Sequence, residues 1–250
     1  ALQRTEMVLH YQPQFDVKSG GIIGLEALVR WQDPELGMIW PNVFIPLAEE
    51  TGLIVPLGQW VLEEACRRAK LWHASAGAHP FHIAVNLSVR QFGMKNLVEV
   101  VRAALHDSGL PPAALQLEIT ESLIMQDVEA NIGVLEQLKG LGVRIALDDF
   151  GTGHSSLLYL KRLPVDVLKI DREFVDVIHK SQYDTAIAHS IIALGGSLKL
   201  EVIAEGVETV AQMQTLQAQG CHIMQGYLFS PPLAEEECDR LLRGVPDLTI

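Results

Sequence analysis

Glu26, Asn86, Glu118, Asp148, Asp149, Lys169, Asp171, Glu205 and Gln225 each stand within or at the end of a short apolar run rich in β-branched residues. Glu208 follows Glu205 by three positions. These side chains are hard oxygen donors, with one ammonium among them. A bland explanation is that strand ends are polar because they approach water. It suits any single position, but an exposed strand end would accept Ser, Thr or Lys freely, and here carboxylates and amides are chosen again and again.

Charge sharpens the point. Six acids (Glu26, Glu118, Asp148, Asp149, Glu205 and Glu208) face two bases, Lys169 and Arg30, leaving a formal surplus of four negative charges if all meet. Like charges so close raise one another's pKa or push the loops apart. Roughly two divalent cations would remove the conflict. An all-oxygen donor set favours Mg²⁺ or Mn²⁺ over zinc, which prefers His and Cys. The neighbours Asp148 and Asp149 would let one carboxylate bridge two ions, and such a pair of ions suits in-line phosphoryl displacement.

The elements that must position these groups follow from periodicity. Residues 8–12 and 22–29 flank the turn signal Lys18-Ser19-Gly20-Gly21 and predict an antiparallel hairpin. A helix is expected near 56–76, with Pro56 in its first turn and Leu57, Val61, Ala65, Ala69 and Trp72 on one stripe. Strand 83–87 precedes a helix near 96–108, closed by Gly109 and Pro111-Pro112. Strands 115–119, 143–147, 167–170, 202–204 and 223–225 are each followed by helical pattern, near 127–139, 155–162, up to 194, 209–219 and 234–242. Eight strands, six of them followed by helices, predict a single α/β domain: a TIM-like (β/α)8 barrel with one antiparallel strand from the N-terminal hairpin, core about 7–243. Such barrels place their chemistry at the C-terminal strand ends, where these polar residues fall.

Other motifs carry less. Gly151-x-Gly153 lacks the third glycine of a dinucleotide fingerprint, and Gly153-His154-Ser155-Ser156-Leu157 lacks the closing glycine of a nucleophile elbow. Residues 149–156 read instead as a glycine-hinged loop over the mouth, with Ser155 capping the next helix. His73, His79 and His82 are expected at the surface, Trp60 and Trp72 in packing, and Glu63, Glu64, Arg67 and Arg68 on a solvated helix face.

The 250 residues carry a net charge of −12, with 48% apolar and 20% charged residues. That is a globular composition without the basic footprint of a nucleic-acid polymer or anionic-membrane binder. Cys66, Cys221 and Cys238 are odd in number and widely spaced, which suggests a reduced, cytoplasmic chain. Lys199 and Glu201 interrupt the best apolar stretch, so no membrane span or direct membrane contact is expected. The start at Ala1 suggests a domain cut from a longer, multidomain protein, in which any membrane or sensor segment upstream would lie outside this sequence.

The motif Leu25-Glu26-Ala27-Leu28-Val29-Arg30-Trp31 is the signature of the EAL-domain family. The chain resembles that family from Tyr11-Gln12-Pro13 to Gln225-Gly226-Tyr227, through Val85-Asn86-Leu87-Ser88, Glu118-Ile119-Thr120-Glu121, Asp148-Asp149-Phe150-Gly151-Thr152-Gly153, Leu168-Lys169-Ile170-Asp171 and Ala204-Glu205-Gly206-Val207-Glu208. The resemblance implies a barrel with a reversed first strand and hydrolysis of cyclic di-GMP to linear pGpG with two Mg²⁺ or Mn²⁺ ions. It implies that Glu26, Asn86, Glu118 and Asp148 hold one ion, and that Asp148, Asp149 and Glu205 serve the second. Lys169 would orient water or stabilise charge, and Glu205 would be the general base. Gln12, Leu28, Arg30 and Asp171 would touch the substrate, with Arg30 on phosphate. Glu208 and Gln225 would support the site, and Glu121 would brace the loop after Asp149. A homodimer and an upstream sensory or GGDEF-type domain are also implied. His154 and Ser230-Pro231-Pro232-Leu233 depart from the family pattern without removing a ligand. Two other readings stay open: a receptor of the same fold that binds cyclic di-GMP without cutting it, and an enolase-type barrel with a metal and a lysine base.

Overall fold

Asp16 closes the first turn by accepting the backbone N–H of Lys18 at 3.0 Å and the Ser19 hydroxyl at 2.8 Å. Gly20 takes φ +70°, which a side chain would resist. The strands on either side, β1 (Met7–Asp16) and β2 (Gly21–Asp33), therefore pair antiparallel. The computed structural model describes residues 4, 6–75, 81–125, 127–151, 157–178 and 182–244.

After the hairpin come β3 (Gly37–Ile39), α1 (Pro41–Thr51), α2 (Ile54–Ser75), β4 (His82–Asn86), α3 (Val89–Phe92) and α4 (Leu97–Ser108). Next are β5 (Leu115–Thr120), α5 (Glu121–Ile124), α6 (Val128–Gly140), β6 (Arg144–Phe150), α7 (Leu157–Leu160), β7 (Val167–Ile170), α8 (Arg172–Val177) and α9 (Gln182–Leu198). The chain ends with β8 (Glu201–Ala204), α10 (Val210–Ala218), β9 (Ile223–Met224) and α11 (Glu235–Leu242). The sheet runs β1-β9-β8-β7-β6-β5-β4-β2 and closes through β1–β2. Strand β1 is antiparallel to both neighbours, while the joins from β2 through β4 to β9 are parallel. This is the expected (β/α)8 barrel with one reversed strand.

Strand β3 and helix α1 were not expected. Strand β3 pairs with the outer end of β2, and α1 carries Pro46 inside it. Helix α1 buries Phe44 and Ala48, but Leu36, Met38, Trp40, Val43 and Leu47 are exposed, so the apolar periodicity of 36–47 does not single out the buried face.

The stripe of α2 is seated as its spacing requires, with Leu57, Val61, Ala65, Ala69 and Trp72 all buried. Each of the larger side chains contributes about 1.5–3 kcal/mol by leaving water. Helix α4 ends on Gly109 in the left-handed region, as expected. Inside the barrel, Ala146, Val167 and Ile203 form a small apolar plug, with Ile223 packed against it. The remaining lumen is polar. Gln12, Gln14, His82, Gln116, Glu118 and Lys169 are all buried there.

His82 corrects the reading of three surface histidines. Pairing puts His82 level with Gly24, whose missing side chain leaves room for its ring, and only 5% of the residue is exposed. His73 is half-buried, with Nε2 at 2.8 Å from the Phe81 carbonyl. His79, His154 and Ser155 lie outside the described residues. Trp72 is in the core and Trp60 packs against it. On the face of α2, Arg67 and Glu64 pair at 2.5 Å, but Arg68 is tied to Glu235 of α11 and is not simply solvated.

Candidate active site

Strand register builds the site. Gln12 faces Glu26 across the hairpin, Asn86 is level with Glu118, and Thr120 is level with Asp148. In a regular strand, Asp148 and Asp149 would point to opposite faces. Strand β6 breaks register between Leu147 and Phe150, and Asp149 takes φ +53°. This bulge re-aims the chain so that both carboxylates serve one rim. The Asp149 backbone N–H donates to Asp148 Oδ1 at 2.9 Å.

At the centre stands the Lys169 ammonium, fully buried. Its Nζ lies 2.5 Å from Glu118 Oε2, 2.6 Å from Glu205 Oε1, 3.2 Å from Asp148 Oδ2 and 3.8 Å from Glu26 Oε2. Glu26 is held by other donors, Gln225 Nε2 at 2.5 Å and Asn86 Nδ2 at 2.7 Å. Glu118 also accepts from Gln116 Nε2 at 3.1 Å.

The electrostatics follow from burial and crowding. Desolvation pulls Lys169 down, but Asp148, Glu118, Glu205 and Glu26 outweigh it and hold the ammonium well above its ordinary range. Burial pushes Glu118 up to about 8, with Lys169 opposing and Glu26 and Asp148 adding to the rise. Glu205 is also raised well above its ordinary value, chiefly by burial. Asp149 rises to about 6, first through burial and then through the charges of Asp148 and Asp171. One lysine cannot satisfy so many carboxylates, and the surplus asks for protons or cations.

Among the described residues, no three His, Cys, Asp or Glu side chains already form a ready-made cation cage. The carboxylates are gathered around Lys169 instead. The donor chemistry nevertheless fits Mg²⁺ or Mn²⁺. Every candidate ligand is an oxygen donor, and at least two of the carboxyl groups are driven toward protonation, first by burial and then by neighbouring carboxylates.

Above the cluster opens a cavity of about 280 Å³, lined among others by Gln12, Glu26, Leu28, Arg30, Glu205 and Gln225. Arg30 stacks over the Trp40 ring at 5.3 Å, and its buried Nε has no hydrogen-bond partner among the described residues. Gln12 donates to the Ser230 carbonyl at 3.1 Å and accepts from Gln225 at 3.1 Å. Glu121 accepts the Gly151 N–H at 3.2 Å, at the root of the loop it was expected to brace. The rest of that loop, 152–156, lies outside the described residues.

The family model described as EAL domain matches residues 1–232. The chain belongs to the EAL domain family. It is 51% identical over 237 residues to the bifunctional diguanylate cyclase/cyclic di-GMP phosphodiesterase MucR of Pseudomonas aeruginosa, covering 95% of this chain and 34% of that protein. It is 46% identical over 244 residues to the cyclic di-GMP phosphodiesterase NbdA of the same organism, covering 98% of this chain and 31% of that protein. The chain thus spans about a third of the length of these curated relatives. Its structure is similar to a solved structure described as PaMucR phosphodiesterase, c-di-GMP complex, with TM-score 0.92 and 51% identity, covering 95% of this chain and 96% of the other.

Within this EAL domain, two expected site residues sit apart from the cluster. Glu208 is exposed and pairs with Arg172 at 2.8 Å, so it lines the cavity without joining the Lys169 group. Asp171 caps α8 by accepting the Glu173 N–H at 2.7 Å and hydrogen-bonds Asp149, and it does not line the cavity. Sequence reasoning missed Arg172, Tyr227 and Pro232, which line the same cavity. Arg172 directly follows a flagged strand end, and one further step along the chain would have found it. It also missed Gln14 and Gln116. The signal was there: Gln12 and Gln14, and Gln116 and Glu118, recur with period two in buried strands, which marks the lumen side.

Proposed function

We propose that the chain hydrolyses one phosphodiester bond of cyclic di-GMP to give linear pGpG. One observation carries the reading: Glu26, Glu118, Asp148 and Glu205 converge within 3.8 Å of a single buried ammonium, beneath an open cavity. The named activities of MucR and NbdA support it.

Glu26, Asn86, Glu118 and Asp148 would hold one Mg²⁺ or Mn²⁺ ion, and Asp148, Asp149 and Glu205 a second. Such ions supply an acidified water and neutralise phosphoryl charge. Arg30 binds the phosphate through its buried, unpartnered guanidinium edge. Gln12 and Leu28 line the floor on which the dinucleotide rests. The water oxygen attacks phosphorus as the bond to the 3′ oxygen breaks, and the departing oxygen takes up a proton. Glu205, which lines the cavity and keeps Oε1 2.6 Å from the Lys169 ammonium, accepts the proton from the attacking water. Lys169 stabilises the negative charge that builds on the phosphoryl group.

The test is product chromatography with the purified chain, cyclic di-GMP and Mn²⁺. Linear pGpG is expected only with metal, and Glu205→Gln should slow turnover by about 10²–10⁴-fold. Tight binding without product would favour the silent receptor. A cytoplasmic homodimer, within a protein that carries a sensory or GGDEF-type domain elsewhere, belongs to the same proposal. Light scattering tests the dimer. Among the described residues, no helix is long and apolar enough to cross a membrane.

A further inference from the structure

Below Glu26 a second polar column runs down the barrel lumen. Gln225 Nε2 donates to Glu26 Oε2 at 2.5 Å, Gln14 Nε2 donates to Gln225 Oε1 at 2.9 Å, and His82 Nε2 lies 2.8 Å from Gln14 Oε1. All four residues are buried, Gln14 completely. The column ends at the opposite side of the barrel, where His82 lines a cavity of about 500 Å³ together with Asp16, Arg144 and Glu201.

Two acceptors orient the top of this column: Gln225 Nε2 donates to Glu26 Oε2 and, at 3.1 Å, to Gln12 Oε1. The amide N–H of Gln225 is thus turned toward Glu26 and Gln12, and its oxygen away from them. The Gln225 oxygen then faces down and must receive an N–H from Gln14. The Gln14 oxygen faces down in turn and must receive a proton from His82. His82 therefore carries its hydrogen on Nε2. Burial first, then the charges of Arg144 and Lys169, bring the imidazole down to about 3. The ring is neutral and owns a single N–H, so the choice of nitrogen matters. Gly24 makes room for the lowest link: a Cβ there would sit 2.4 Å from His82 Nε2 and 2.5 Å from Gln14 Oε1.

We propose that His82 and Gln14 are positioning residues for Glu26, because the His82 Nε2–H, passed on through Gln14 and Gln225, fixes the amide face that holds the Glu26 carboxylate in its ligating orientation. The inference rests on the metal-dependent phosphodiesterase reading above. Without a donor at position 82, the Gln14 amide loses the bond that fixes its face, and the Gln225 amide is left to Gln12 and Glu26 alone. A histidine that merely fills the lumen would need no particular tautomer.

Two measurements on the purified chain test the relay. Nitrogen-15 NMR reads the tautomer without any variant or substrate, and an Nε2-protonated, Nδ1-bare ring is expected. Calorimetric titration with Mn²⁺ then compares variants. His82→Leu should weaken binding about tenfold, the scale of losing an outer support of a metal ligand, with KM for cyclic di-GMP unchanged. His82→Gln, whose amide can still donate to Gln14, should keep the parental affinity. If His82→Leu fails to fold, Gln14→Met serves in its place, with the same expected loss. An Nδ1-protonated ring overturns the relay. So does a folded His82→Leu chain that binds Mn²⁺ like the parent, or an equal loss in the Leu and Gln variants. A parent that binds Mn²⁺ but leaves cyclic di-GMP uncut would overturn the proposed function alone, and the tautomer and the affinities would still decide the relay.

Discussion

Lys169 offers three N–H bonds and meets four carboxylates within 3.8 Å. Charge this uneven must be relieved by protons or by cations, and the two compete. Glu118 is raised from 4.5 to about 8 by burial above all, and Glu205 moves the same way. Without divalent metal, the folded chain therefore keeps protons that the unfolded chain releases at much lower pH. Stability then falls as pH rises from the unfolded value through the folded one. In chelator, the melting temperature should drop from about pH 5 to about pH 8, and saturating Mg²⁺ should flatten that slope. A flat or rising trend under chelation would contradict this account of the cluster.

Elements place these groups by small departures from regularity. The bulge in β6 lets neighbouring aspartates share a rim. Helix α9 shows a departure of another kind. Its end is closed by the Leu200 N–H on the Gly195 carbonyl at 2.9 Å, while Lys199 sits at φ +60°. Glycine is the usual occupant of that position, and a side chain there costs about 1 kcal/mol. Lys199 is exposed and remote from the cavity. Lys199→Gly should therefore raise unfolding free energy by about 1 kcal/mol and leave turnover untouched, as read by urea melts and steady-state assay. Unchanged or reduced stability would show that the backbone there is not strained. The barrel elements could be read from alternating apolar runs and caps. Strand β3 and helix α1 could not, because Pro41, Pro46 and exposed apolar side chains break the periodic pattern on which such reading depends.

At the scale of the whole molecule, closure through β1–β2 makes the barrel, and the elements packed around it leave three thiols buried. Burial pushes Cys66, Cys221 and Cys238 up to about 12, so little thiolate exists near neutral pH. A thiol reagent should label the native chain only at the rate at which it opens, and all three sites should react together once denaturant unfolds it. Rapid labelling in native buffer would show that one of these sites opens locally. The lumen is a product of the same closure. Its apolar plug is small, and glutamines, a histidine and a lysine fill the rest.

By itself, the sequence determined the barrel strands, the reversed hairpin and the acids at the strand ends, because apolar runs, turn residues and charge are local properties written in order. It also determined the surplus of carboxylates, which is countable before any folding. Tertiary structure alone decided that Lys169 is the hub, that Arg172 draws Glu208 away, and that His82 lies deep inside. Strands of a parallel barrel are covered on both faces, so only where polar residues recur with period two, as at Gln12 and Gln14 or Gln116 and Glu118, does the pattern mark the lumen side. Only ring closure makes distant residues such as Gln14, His82 and Gln225 neighbours.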